Sequence, residues 1–331
     1  MNWNIIRIYL RLGRIHSAVL TGLAPAVAAA ATGTSLSIYH YLELFLIGLL
    51  FHFYLFVYNE LRDIAVDKTS EKLKGKPLVD GSITIKSAKT IVFSSIALTL
   101  ILSIVFFQEK AVMLIPISLL AFLFGGLYNI LGKRFPHADY FSATSFFFFT
   151  IYGGFSVSQD LNVLVYVIGV LAFMQMLFQN IVAGLKDVDH DYLAGGTSTP
   201  IRMGVKIEGK RVLISKKFIA YVSILKMINI FLLITPFIYR MMPFESWQFF
   251  ISLLLIVITI FFMIRFLTIK LFDREKIMRS IGFHETFMFM VIPFILFTYI
   301  GLVGMLFLVF FPIIWLGVFL ILLYGRPMPV V

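Results

Sequence analysis

Two short acidic ladders stand in an otherwise apolar chain. The first is Asn59, Asp63 and Asp67, spaced i, i+4, i+8; the second is Asp187 and Asp191, spaced i, i+4. Each ends a long apolar segment, where an ionised side chain costs about 2.5–3.5 kcal/mol at a helix centre. Acids kept there need a partner. At 3.6 residues per turn, each four-residue step drifts only about 40°, so Asn59, Asp63 and Asp67 share one helix face over about 12 Å. Oxygen donors on one face suit Mg2+, a hard ion that takes a few carboxylates and completes its shell with water and phosphate oxygens. Asp189 falls on the opposite face of its turn and reads as a solvated or loop-ordering residue rather than a ligand. Lys72, Lys74, Lys76, Lys133, Arg134 and Lys186, with Arg14 at the head of the first span, supply positive charge for a diphosphate.

The elements that must position these groups are membrane spans. The chain has 331 residues, 60% of them hydrophobic and 14% charged, with a mean hydropathy of +0.97. A soluble domain of that length cannot bury so much apolar surface, so the fold class is an all-α polytopic membrane protein. Runs of about 20 apolar residues place spans near 15–33, 38–61, 88–107, 111–131, 139–158, 161–185, 214–238, 246–271, 284–301 and 304–324. The last two form one run too long for a single crossing, with Gly301 and Gly304 as the place to turn. Ten spans, or nine, make one transmembrane domain over residues 1–331, with polar loops at 62–88 and 186–213 carrying or following the ladders. Met1 to Arg14 is a basic amphipathic stretch without a small-residue cleavage site, expected to be retained.

Charge sets the expected orientation. All but three of the 28 basic residues fall on one side of these spans; Lys110 and Arg240 lie on the other, and Lys226 lies inside a span. The positive-inside rule puts both termini and both ladders on the cytoplasmic side. The net charge of +11 is thereby explained by topology and anionic lipid rather than by nucleic acid. With no cysteine, disulfides and thiolate metal sites are excluded.

Each ladder is followed by a Pro-x-x-x-Gly element, Pro77 to Gly81 in one loop and Pro200 to Gly204 in the other. The two halves read as a weak internal repeat with the site at its interface.

The ladder Asn-x-x-x-Asp-x-x-x-Asp, the later Asp-x-x-x-Asp, the loop Lys76-Pro77-Leu78-Val79-Asp80-Gly81 and the segment from Asp191 to Pro200 together resemble the UbiA superfamily of intramembrane prenyltransferases. The resemblance runs from about Arg14 to Gly204. It implies a bundle of nine to ten transmembrane helices around a cavity open sideways to lipid, and Mg2+-dependent transfer of a polyprenyl group from its diphosphate to a lipophilic acceptor. By motif position Asn59, Asp63 and Asp67 hold one Mg2+, and Asp187 and Asp191 a second. Asp63, Asp187 and Tyr128 are the expected catalytic residues, with Tyr128 near the reacting carbon. Lys76, Lys133, Lys186 and Arg14 are the expected diphosphate contacts.

Asn180, Tyr152 and His52 are candidates for the substrate cavity, with Tyr152 helping Tyr128 to wall off an allylic cation. For His52 a hydrogen-bonded interhelical role is the competing reading, and for Asn180 a helix–helix hydrogen bond. Asp139 reads as a cap of the fifth span. The chain departs from the superfamily's pattern at Glu60, where Asp is common, at Gln179, Asn180 and Ala183, where lipid-synthesising members carry Arg, Glu and Lys, and at Ile15 after Arg14. The acceptor is therefore open: a quinone precursor, a carotenoid, a glycerolipid or another lipophile. A secondary transporter that uses the intramembrane acids for a cation is the alternative class.

Overall fold

The computed structural model describes residues 3–68, 73–132, 135, 137–189 and 198–325. Helices dominate. In chain order they are α1 (Trp3–Leu12), α2 (Ala18–Ala30), α3 (Ile38–Asp67), α4 (Ile85–Phe107), α5 (Ala111–Leu131), α6 (Ala138–Val157), α7 (Val163–Ala183), the short α8 (Thr199–Arg202), α9 (Lys216–Ile238), α10 (Ser246–Leu267), α11 (Arg274–Phe289) and α12 (Val291–Tyr324). The apolar runs of the sequence predict helices alone. The structure adds one hairpin, β1 (Lys206–Glu208) and β2 (Arg211–Leu213), in the polar loop.

Among the described residues six helical stretches are long and apolar enough to cross a membrane, or seven if the bent pair Trp3–Leu12 and Ile15–Ala30 makes one span. Two of the six, Ile85–Leu131 and Arg274–Tyr324, run to 47 and 51 residues. At about 1.5 Å per residue each exceeds one crossing of a roughly 30 Å core. The first is broken at Gln108, whose φ is 45°, and the second at Gly301, with φ 64° and ψ −176°. The turn expected at Gly301 is present. The expected boundary at 284 is not, since α11 begins at Arg274 and runs through that position. Val112, Phe93 and Val303 are among many large apolar side chains left exposed, a surface that lipid covers at no cost.

The chain divides into two compact units. One comprises Met1–Ile130, Thr144–Gly169 and Phe310–Val331; the other comprises Leu131–Ala143 and Val170–Val309. In the first unit α3 packs on α2 and α4. Small residues let the backbones approach: a Cβ added to Gly48 would lie 2.5 Å from the Gly22 Cα, the close approach that small residues permit between membrane helices. Phe51 stacks on Phe149 at 3.9 Å between centroids, and the Tyr54 hydroxyl donates to the Phe122 carbonyl at 2.7 Å. The far end of α12 returns to this unit, where the Trp315 indole donates to the Ile15 carbonyl and Arg7 to that of Leu323.

The second unit is built around Leu177, Phe178, Ile181, Phe218, Val222, Phe266 and Ile277, which join α7, α9, α10 and α11. Its hairpin pairs Ile207 with Val212, and backbone bonds between Val212 and Lys270 and between Phe272 and Lys210 tie it to the chain ahead of α11.

Candidate active site

The first ladder lies on one continuous helix. The 30 residues of α3 span about 45 Å, which carries Asn59, Asp63 and Asp67 beyond the apolar core to a polar end. Asn59 is held by a residue that the sequence reading passes over: its amide nitrogen donates to Asn129 Oδ1 at 3.3 Å, and Asn129 in turn donates to the Leu55 carbonyl at 3.1 Å. That bond fixes the orientation of the Asn59 amide. Tyr128, one residue before Asn129 near the end of α5, is half-buried.

Two cations clamp the acids around the ladder. Lys76 Nζ lies 2.8 Å from Asp67 Oδ2 and 3.0 Å from Glu60 Oε2. Arg14 pairs with the other oxygen of Glu60 and stacks over Phe56. Glu60 and Asp67 are only 5% and 4% exposed, so these charges are desolvated and need their partners. Arg14 makes its contact from the left-handed region, at φ 47°, a backbone conformation that costs about 1–3 kcal/mol in a non-glycine residue and collects at functional sites.

The loop after the ladder is ordered by local chemistry. Asp80 Oδ1 accepts from the backbone N–H and hydroxyl of Ser82, Gly81 turns at φ 81°, and Thr84 caps α4. The other Pro-x-x-x-Gly loop has the same plan: Gly204 turns at φ 86° and Ser215 caps α9. In both loops the proline carbonyl accepts a later backbone N–H, from Ile83 in one and Val205 in the other. The two loops thus share a local design.

The second ladder departs from the expected geometry. The α-helical turns of α7 stop at Ala183, and Gly184–Asp187 tightens into a 3-10 turn. Three residues per turn then replace 3.6, so α-helical phasing does not carry through Asp187. Asp187 Oδ2 pairs with Lys186 at 2.8 Å, and Oδ1 accepts from Arg274 at 2.7 Å. Lys186 thus sits beside the acid, and Arg274 joins it unannounced by any motif. Asp139, in the first turn of α6, accepts a hydrogen bond from Thr199 at 2.9 Å, fastening α6 to α8. Asp191, Lys72, Lys133 and Arg134 lie outside the described residues.

Of the cavity candidates, His52 has both ring nitrogens engaged, Nδ1 with Thr21 Oγ1 at 3.2 Å and Nε2 with the Gly13 carbonyl at 3.0 Å. It is an interhelical histidine. Tyr152 is fully buried, stacked on Phe149, with its hydroxyl 2.7 Å from Ser103 Oγ. Asn180 is half-buried, and its amide nitrogen has no hydrogen-bond partner among the described residues.

Among the described residues no group of three or more His, Cys, Asp or Glu could hold a metal by itself. An amide oxygen and a few carboxylates with cations at their side fit an ion that is completed by water and substrate phosphate. The first ladder fits on those grounds, with Lys76 on one of the Asp67 oxygens.

Fold and site together define a polytopic, predominantly helical membrane protein with oxygen-donor ladders at the ends of its helices. The chain belongs to the UbiA prenyltransferase family, whose model matches residues 18–284, and it is an integral multi-pass membrane protein. The structure resembles that of a digeranylgeranylglyceryl phosphate synthase, at TM-score 0.65 and 21% identity over 90% of this chain and 100% of the other. It also resembles a UbiA homologue from Aeropyrum pernix K1, at 0.63 and 14% identity over 85% and 96%. A UbiA homologue from Archaeoglobus fulgidus bound to DMAPP and Mg2+ is similar at 0.62 and 21% identity over 86% and 98%. At these identities the likeness is one of fold. No curated protein matches the chain.

Proposed function

We propose that this protein transfers a polyprenyl group from its diphosphate to a lipophilic acceptor within the membrane, with Mg2+ as cofactor. The observation that carries the reading is the intact Asn59–Asp63–Asp67 face on α3, with Asn59 oriented by Asn129 and the neighbouring acids clamped by Lys76 and Arg14. Asn59, Asp63 and Asp67 would hold one ion, and Asp187 with Asp191 a second. Bound there, Mg2+ supplies charge neutralisation for a diphosphate.

The chain's own groups do the rest. Lys76, Arg14 and Lys186, with Lys133, present cations that stabilise the leaving diphosphate as its charge develops, the differential interaction that lowers the barrier. Tyr128 offers an aromatic face to the allylic cation left behind, and the apolar helices exclude the water that would quench it. Asn180, Tyr152 and His52 were the cavity candidates; Asn180 fits that role best, because its amide donor is uncommitted. The transporter alternative is less favoured, since the acids sit at helix ends beside lysine and arginine rather than at mid-helix breaks. By the distribution of basic residues, the N-terminus and the active site face the cytoplasm.

The test is prenyl transfer by the purified protein, given labelled farnesyl or geranylgeranyl diphosphate and a total lipid extract of its host. A new labelled lipid that requires Mg2+ and is lost in Asp63→Ala and Asp187→Ala supports the reading. Equal behaviour of wild type and variants, with no diphosphate released, overturns it. Because the chain has no cysteine, a single cysteine placed at Lys74 reports sidedness by labelling with an impermeant reagent.

A further inference from the structure

The second unit holds a polar cluster that the ladders do not use. Lys226, near the middle of its helix, and Asn229 lie one turn apart on α9, each 1% exposed. Lys226 Nζ sits 3.9 Å from the centroid of the Phe178 ring on α7. His284 of α11 stacks on the same ring at 4.8 Å and 19°, and meets Phe266 of α10 edge-on at 5.8 Å. Phe178 therefore gathers α7, α9 and α11 about one point. The charged groups that act on His284 are Lys226 and Glu285.

The hydrogen bonds give the cluster a direction. His284 Nδ1 lies 3.1 Å from Glu285 Oε1, and the other oxygen of Glu285 accepts from Gln175 of α7. A carboxylate only accepts, so Nδ1 carries the ring proton of the neutral imidazole and Nε2 presents its lone pair. That Nε2 is buried without a partner among the described residues, as are Lys226 Nζ, both amide atoms of Asn229 and Gln175 Oε1. An unmet buried polar atom costs about 1–3 kcal/mol. Helix packing alone has no use for five of them, and a buried set with both donors and a base is the mark of a site.

We propose that Lys226, Asn229, His284 and Glu285 form an acid–base site for a lipophilic molecule with an acidic hydroxyl, such as a phenol or an enol. His284 Nε2 takes the hydroxyl proton: the O–H bond breaks, its electron pair stays on oxygen, and an N–H bond forms. Glu285 steadies the imidazolium, while Lys226 and Asn229 hold the oxyanion. Net charge is zero before the transfer, from Lys226 and Glu285, and zero after it. In the setting of the proposed function, on which this role rests, the ligand is the prenyl acceptor and the step makes it nucleophilic.

The probe is 4-nitrophenol, whose absorbance separates phenol from phenolate. It is titrated against the full chain in detergent, without Mg2+ or prenyl diphosphate. The expected result is stoichiometric binding, with the bound probe ionising at a proton concentration at least tenfold higher than in empty micelles. The shift is lost in His284→Gln and in Lys226→Met. Should either variant fail to fold, judged by tryptophan fluorescence, Asn229→Ala removes only a neutral donor and is expected to weaken the shift two- to fivefold. A wild-type titration identical to that in micelles overturns the proposal, as does a shift that survives in the folded variants. Diphosphate release from labelled prenyl diphosphate with Mg2+ is measured in parallel. If it persists while the nitrophenol shift is absent, the acid–base site fails and the prenyltransferase reading stands.

Discussion

Lys76 holds a position that a divalent cation would contest, and its removal has effects of opposite sign on two ligands. Its ammonium touches Asp67 at 2.8 Å and Glu60 at 3.0 Å, with 19% of its own side chain exposed and 5% and 7% of theirs. Breaking a buried pair by deleting one partner costs about 3–5 kcal/mol. Glu60 keeps Arg14, so the loss in Lys76→Met falls mainly on Asp67, and about 3 kcal/mol is expected in EDTA. Mg2+ no longer competes with the ammonium for Asp67, so it binds the ladder at least tenfold more tightly, which is about 1.4 kcal/mol. At a concentration near 100 times its dissociation constant the ion returns about 2.7 kcal/mol of stability, close to what was lost. Prenyl diphosphate, deprived of a cation, binds more weakly. Calorimetric titration of the detergent-solubilised protein reads the Mg2+ affinity, and thermal unfolding followed by the three tryptophans reads stability with and without the ion. If Lys76→Met binds Mg2+ no more tightly than wild type and unfolds at the same temperature in EDTA, the clamp is not an electrostatic one and the reasoning fails.

Asn129→Ala frees the Asn59 amide from its 3.3 Å bond and is expected to weaken Mg2+ binding about fivefold, near the 1 kcal/mol of one hydrogen bond; the same titration measures it. Arg274→Met removes the 2.7 Å partner of Asp187, so prenyl transfer at saturating donor should fall at least tenfold while Mg2+ binding to the first ladder is unchanged. Gly48→Ala places a methyl 2.5 Å from the Gly22 Cα. The helices must part, at a cost of about 1–3 kcal/mol, visible as a lower unfolding temperature in detergent.

By itself the sequence determined what is local and periodic. Apolar runs marked the long helices because a helix must reach across hydrocarbon, though not how many crossings they make, and the four-residue spacing put Asn59, Asp63 and Asp67 on one face because α3 stays helical through its polar end. Gly301 was legible as a break for want of a side chain in a long apolar run, and Gly81 and Gly204 stand where two similar loops need positive φ. The tertiary structure decided the partners. Arg14 meets Glu60, Asn129 meets Asn59 and Arg274 meets Asp187 across 46, 70 and 87 residues of chain. Residue spacing says which face a side chain shares but not which distant helix that face meets. The 3-10 turn at Gly184–Asp187 likewise follows from its surroundings, since composition does not separate it from an α-helical end. The cluster around Phe178 was visible in the sequence only as one misplaced lysine. It took the packing of α7, α9 and α11 to bring a base, with its carboxylate, and a buried lysine to one ring, because buried polar groups acquire meaning only from what the fold sets beside them.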